Sequence, residues 1–235
     1  MNDLQKNLLN VLIDFDEFAK KNGIKYSLAW GTLLGAVRHK GFIPWDDDVD
    51  VSMDLVNFNK LKRVCEKGGL PEHLVFRGPF KGCRVSKIRD IRGSVVDKNG
   101  KKGYFIDIFP FRKYTSLEVR ILSFFAYGLK IRDYRKKINN KALRALYSVL
   151  SLIPYYLFIV NRAIFVWKKE SLNGTYVGQD PSTNPVCFFC ADNFFDTIEG
   201  EFEGNSFPIP MDWDKVLKQA YGDYMIPINE NNQHY

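Results

Sequence analysis

Four carboxylates, Asp46, Asp47, Asp48 and Asp50, fall within five consecutive positions of the stretch I-P-W-D-D-D-V-D-V. At such spacing they repel one another unless solvent or cations screen them. Ile43, Val49 and Val51 flank the run, which argues against a fully solvated loop. Hard divalent cations bound to oxygen ligands are the natural remedy. If Asp48-Val49-Asp50-Val51 is a strand, residues 48 and 50 project from the same face. A further acid, Asp107, interrupts the apolar run Tyr104-Phe105-Ile106-Asp107-Ile108-Phe109. A buried strand carrying one charge needs a partner for it. That partner is either a Lys or Arg in a structural salt bridge, or a cation shared with Asp48 and Asp50 in a phosphoryl-transfer site holding one or two metal ions.

These acids need a scaffold, and the residues before them supply one. Ile24 to Ala29 alternates apolar and polar residues, as a half-buried strand does, and runs into Gly31-Thr32. Thr32 is expected to cap a short helix from Leu33 to Arg38, ended by Gly41, whose N-terminal N–H groups face an anion such as a nucleotide phosphate. Taken singly, a Gly-Thr pair is a turn and an Asp run a solvated loop; together they form a phosphate cradle a dozen or so residues from paired carboxylates. Arg84, Lys87 and Arg89 alternate along an expected strand from Cys83 to Arg89. Such a basic face is either a solvated edge strand or a means of neutralising a diphosphate.

The string G-T-L-L-G-A-V-R-H-K-G-F-I-P-W-D-D-D-V-D, followed by F-I-D-I-F-P and later by F-E-G, F-P-I-P and Y-G-D-Y-M, resembles the LicD family. These motifs lie between about residues 20 and 228, and the match is weakest from about 117 to 190. The resemblance implies a nucleotidyltransferase-like fold, shared with fukutin-related phosphoribitol transferases. It also implies movement of a phospho-alcohol, often phosphocholine, from a CDP-alcohol donor to a hydroxyl of a surface glycan or glycolipid. Mg²⁺ or Mn²⁺ would be held by Asp46, Asp48, Asp50 and Asp107, with Asp48, Asp50 and Asp107 catalytic. Gly31, Thr32, Arg38 and Lys87 would contact the donor; Lys87 is favoured because the family pattern has a Lys at a similar place.

The chain has 235 residues, 46% of them hydrophobic, enough for one large α+β domain or a domain with an insertion. Its net charge of +7 suits a polyanionic partner without choosing among nucleotide, glycan polymer, nucleic acid and membrane. The family resemblance makes nucleic acid the less expected of these. Cys65, Cys83, Cys187 and Cys190 are too few for a disulfide scaffold, and Cys187-Phe-Phe-Cys190 lacks a second ligand pair for zinc. The first residues do not resemble a signal peptide, so a reduced, cytoplasmic setting is expected, peripheral on the inner face of the membrane.

Leu4 to Ala19 repeats with helical period, and Asp54 can cap a helix from Leu55 to about Lys67. Between Arg120 and Arg144 lie eight basic residues against the single acid Asp133, and Leu146 to Val160 carries no charge. Fifteen uncharged residues broken by Pro154 are too short to span a bilayer. They suit either a helix pair in an anionic membrane interface or helices packed with their apolar face on the core. Further on, Ile198 to Gly204 reads as a hairpin or edge strand, and Asp212 should cap a helix to about Tyr221. Glu203, Asp223 and His234 are polar residues of interest there, and Trp45, Trp213 and Tyr224 are candidate rings for stacking on a base or sugar.

The expected architecture is α+β, a mixed nucleotidyltransferase-like sheet flanked by helices. Residues 1–116 would form the catalytic core, 117–190 a mostly helical amphipathic insertion touching membrane or acceptor, and 191–235 the part completing the core. Two other functions are compatible with the residues: a nucleotidyltransferase that uses an NTP and releases pyrophosphate, and a non-catalytic membrane-surface protein. The presence of all three of Asp48, Asp50 and Asp107 speaks against the last.

Overall fold

The computed structural model describes residues 1–78, 85–93, 103–123, 138–150, 156, 160, 174–179 and 188–226. The fold is α+β, and the chain divides into two compact units, Met1–Pro110 with Ala191–Tyr235, and Phe111–Cys190.

In the first unit, α1 (Asp3–Lys21) begins with a capping box. The Asn2 side chain accepts from the Gln5 N–H, and the Gln5 side chain accepts from the Asn2 N–H. Its apolar face, including Leu8, Val11, Leu12 and Phe15, is buried. Then come β1 (Ser27–Leu28), α2 (Trp30–His39), β2 (Asp50–Asp54), α3 (Leu55–Glu66), β3 (Leu74–Arg77), β4 (Ser86–Asp90) and β5 (Tyr104–Tyr114). The strands lie in the order β1-β2-β5-β4-β3 within a mixed sheet. Lys87 is directly opposite Asp107 in the antiparallel β4–β5 ladder. Because β3 flanks β4 on its other side, β4 is an interior strand. The expected solvated edge strand is thereby replaced by a sheet position where Arg89 is buried. Asp54 caps α3 as expected, its carboxylate accepting from the Asn57 N–H at 2.6 Å.

The expected cap of α2 is different. Ala29 occupies that position in extended conformation, and Thr32 lies inside the first helical turn. At the other end Lys40, with φ of 56°, takes the left-handed conformation one residue before Gly41. Gly41 is small for another reason: a Cβ there would collide with the Glu203 carboxylate. Glu203 lies at the turn of a hairpin, β8 (Thr197–Phe202) and β9 (Asn205–Pro210), where Glu203 and Gly204 both have positive φ, as a two-residue type I′ turn requires. Its N–H donates to the Lys40 carbonyl at 2.8 Å, and its carboxylate accepts from the Phe42 N–H at 2.9 Å. The hairpin thus straps the exit of α2.

The last helix of this unit, Trp213–Tyr221, follows Asp212. Asp212 sits at the cap position, yet its side chain accepts from the Asn193 N–H at 2.8 Å instead of from the helix.

The second unit holds strand as well as helix. The end of β5 pairs antiparallel with β6 (Tyr176–Gln179), and β6 with β7 (Phe188–Cys190). A helix begins at residue 116, its start capped reciprocally by Thr115 and Glu118. Tyr114 and Leu122 centre a small core with Val119, Ile121, Tyr176 and Phe188. A ten-residue helix, Lys141–Leu150, completes the described part, with Asn140 accepting from the Leu143 N–H at its start. Cys83, Arg84, the Asp97–Gly100 turn, most of the basic and uncharged stretches, Cys187 and His234 lie outside the described residues. No helix among the described residues is long and apolar enough to cross a membrane.

Candidate active site

The turn after α2 carries the acids, and three sets of backbone contacts hold it. From α1, the buried Gln5 side chain donates toward the carbonyls of Ile43, Pro44 and Asp46, at 3.2, 3.4 and 3.1 Å. From the start of α2, the Thr32 hydroxyl accepts from the Asp50 N–H at 2.9 Å, while the Ala29 N–H donates to the Asp50 carbonyl at 3.0 Å. From β5, the Asp107 N–H donates to the Val49 carbonyl at 2.8 Å. Residues 46–50 are therefore fixed between the first helix, the entry to the second and the neighbouring strand.

This frame gathers the carboxylates. Asp46, Asp47 and Asp48 each offer an oxygen, all within 4.8 Å of one another. Asp48 precedes β2 rather than lying on it, so the expected strand begins two residues late. Gly31 abuts the same cluster: a Cβ there would sit 2.9 Å from an Asp46 carboxylate oxygen. Asp50 is buried, and Asp107 forms an ion pair with Lys87. The Lys87 ammonium also lies 3.6 Å from the centre of the Phe105 ring.

The electrostatics follow from this placement. Burial, then the neighbouring Asp48 charge, pushes Asp46 up to about 7. Asp48 is raised by burial and by Asp47, with Lys87 pulling in the opposite direction. Asp50 is raised well above the ordinary carboxylate range by burial, then by Asp48, Asp107 and Asp46. Burial raises Asp107 too, against the pull of Lys87. Four carboxylates with such proton affinity, only three of which feel Lys87, are short of positive charge. The grouped donors, Asp46, Asp47 and Asp48, are hard oxygen without His or Cys, chemistry that suits Mg²⁺ or Mn²⁺ rather than zinc or copper, while Asp50 and Asp107, expected as further ligands, are not part of that trio. Asp47, the exposed member of the trio, is an oxygen donor that the family motif did not single out.

Arg38 is not gathered here. It lies seven residues beyond Gly31 on α2, about 10 Å along the axis, and its guanidinium donates to the Tyr224 carbonyl at 2.7 Å. Tyr224 is buried with its hydroxyl on Asp214, whereas Trp45, next to the acids in the chain, is 39% exposed. Trp213 is half-buried, so of the three candidate stacking rings Trp45 is the exposed one and the one adjacent in the chain to the cluster. Asp223 is exposed. A cleft of about 390 Å³ lined by Asn7, Asn10, Asp90, Arg92, Gly93 and Tyr104 contains none of the clustered acids. Gln5 went unnoticed in the sequence as a site residue. Its Asn2-x-x-Gln5 spacing signals a cap, and nothing local signals its reach to residue 46.

A helix N-terminus against an acid cluster on a mixed sheet defines a nucleotidyltransferase-type site, and comparisons with known proteins agree with that class. The family model for the LicD/FKTN/FKRP nucleotidyltransferase domain matches residues 23–148. Lipopolysaccharide cholinephosphotransferase LicD of Haemophilus influenzae is 30% identical over 96% of this chain and 91% of its own length. The chain belongs to the LicD family. Human ribitol 5-phosphate transferase FKRP is 30% identical over 38% of this chain and 17% of its own length. Mannosyltransferase regulator 4 of Saccharomyces cerevisiae is 26% identical over 65% of this chain and 12% of its own length.

Proposed function

We propose that this protein transfers a phospho-alcohol, phosphocholine or a similar group, from a CDP-alcohol to a hydroxyl of a surface glycan or lipid-linked saccharide. The acceptor would be of the lipopolysaccharide, teichoic acid or capsule type, met at the inner face of the membrane. Two relatives, a cholinephosphotransferase and a ribitol 5-phosphate transferase, support the reaction class. One observation in this chain carries the reading. The convergence of Asp46, Asp47 and Asp48 beside Gly31, with Asp50 and Asp107 adding charge, makes a site that demands cations and so accepts a diphosphate only with them.

Asp46, Asp48, Asp50 and Asp107 would hold Mg²⁺ or Mn²⁺, which supplies charge neutralisation for a diphosphate in a cluster that otherwise repels it. The N–H groups at the start of α2, around Gly31 and Thr32, orient the donor phosphates. Lys87 adds a fixed positive charge where negative charge develops. The acceptor hydroxyl oxygen attacks the phosphorus that bears the alcohol. Its bond to the bridging oxygen breaks, and CMP departs with that oxygen. Asp107, whose proton affinity burial raises, either joins the cation ligands or takes the hydroxyl proton. Thr32 acts by position: its hydroxyl is committed to the Asp50 backbone. Trp45 offers a face on which the cytosine base can stack.

A screen of CDP-choline, CDP-ribitol and CDP-glycerol, scored by CMP release with acceptor glycan present, tests this. CMP should appear with at least one donor and fall by orders of magnitude in EDTA or in Asp48→Asn and Asp50→Asn. Pyrophosphate release from CTP or ATP, without CMP from any CDP-alcohol, would establish nucleotidyl transfer instead. Near wild-type turnover in EDTA would remove the metal.

A further inference from the structure

The helix Lys141–Leu150 is amphipathic, and three described residues of its apolar stripe are exposed. Leu143, Leu146 and Val149, spaced three apart and so on one side of the helix, are 47%, 52% and 64% exposed. Lys141 and Arg144 are exposed as well, and the helix carries no acid. Asn140 caps its start, and Ser148 closes onto the Arg144 carbonyl at 2.7 Å, so the helix is closed at its start and along its length while the stripe stays exposed. A helix of this length, about 15 Å, leaves such leucines in water only at a cost that a docking surface relieves.

We infer that this stripe is a membrane-docking face, with Leu143, Leu146 and Val149 entering the headgroup boundary of an anionic bilayer and Lys141 and Arg144 meeting its phosphates. Charge chooses the occupant. From Arg120 to Arg144 the chain has eight basic residues and one acid, a bias that complements anionic lipid and has no counterpart in an apolar protein groove. The inference rests on the proposed reaction only in purpose: a lipid-linked acceptor is met at the surface where the helix docks.

Co-sedimentation of the full chain, without donor, with vesicles of phosphatidylcholine alone or with roughly a third phosphatidylglycerol tests it. Recovery should rise with the anionic lipid and fall with salt. The double variant Leu146→Gln, Val149→Gln should lower partitioning about tenfold or more, with an unchanged urea midpoint and unchanged CMP release toward a water-soluble acceptor. Lys141→Glu with Arg144→Glu should abolish the preference for anionic vesicles. Three results overturn the inference. They are equal recovery with both vesicles, a lowered urea midpoint in the Gln variant with binding intact, which means the chain itself covers the stripe, and a dimer dissociated by the Gln substitutions, which means a second copy does. Because vesicle binding is read without turnover, failure of the proposed reaction leaves this result standing.

Discussion

Lys87 lowers the proton affinity of Asp48, Asp50 and Asp107 alike, so it is shared rather than paired once. The two partners of the Lys87–Asp107 contact are therefore unequal. Removing the lysine leaves buried carboxylates facing one another, and Lys87→Met should cost about 3–5 kcal/mol in metal-free buffer. Removing the acid leaves Lys87 with Asp48 and Asp50 and relieves repulsion, so Asp107→Asn should cost about 1 kcal/mol or less there. Urea unfolding of both variants in EDTA decides it, and equal losses would reduce the contact to an ordinary ion pair. The two sequence-level accounts of Asp107, salt bridge or site member, thus describe the same residue. It has a cation opposite it on β4 and the acid cluster across β2.

At the scale of elements, the acid turn is held by side chains from helices that contribute no acid to it. Gln5 is the clearest case, since one amide both completes the cap of α1 and reaches the carbonyls of residues 43, 44 and 46. Gln5→Met keeps the length and loses the donor. Stability should fall by about 1–3 kcal/mol through the buried carbonyls left unmet, and Mg²⁺ affinity measured by calorimetry should weaken. Asn2→Ala removes only the cap, about 1 kcal/mol, and should leave Mg²⁺ affinity unchanged. A parallel loss of affinity in both variants would mean that α1 as a whole, not the Gln5 amide, sets the turn. Thr32 follows the same logic. Local pattern marked it as a cap, but Ala29 already fills that position in extended conformation, and the hydroxyl is used on β2 instead.

For the molecule as a whole, the acids make stability depend on pH in an unusual direction. Asp46, Asp48, Asp50 and Asp107 all have folded proton affinities above the ordinary value, which the unfolded chain keeps at about 3.9. The folded protein then binds more protons than the unfolded one from about pH 4 to about 7 and beyond. Their contribution is fully present below the unfolded value and is lost as pH rises through the folded values. In EDTA, the urea midpoint should fall between pH 5 and pH 8. Saturating Mg²⁺ should reverse that fall, because bound cation favours the ionised form. A midpoint that rises over this range in EDTA would show that the cluster is already neutralised within the chain.

The family, the acid run and the order of elements up to β5 were legible in the sequence, because each rests on short-range patterning, whereas the strands β6 and β7 were not. Charge crowding at 46–50, the lone acid in an apolar strand, the helical period of α1 and the Asp54 cap all lie within one turn or strand of their signal. Tertiary structure decided what long-range contacts determine. Pairing β3 outside β4 buried the basic strand and gave Lys87 to Asp107. Folding α1 over the turn gave Gln5 a second task, and returning the hairpin to α2 placed Glu203 against Gly41 and the Phe42 N–H. Arg38, at the far end of α2 from Gly31, meets the carbonyl of Tyr224, 186 residues away in the chain. A residue's type states what chemistry it can do; which atoms it meets is set by contacts separated by tens to hundreds of positions, and no local period encodes them.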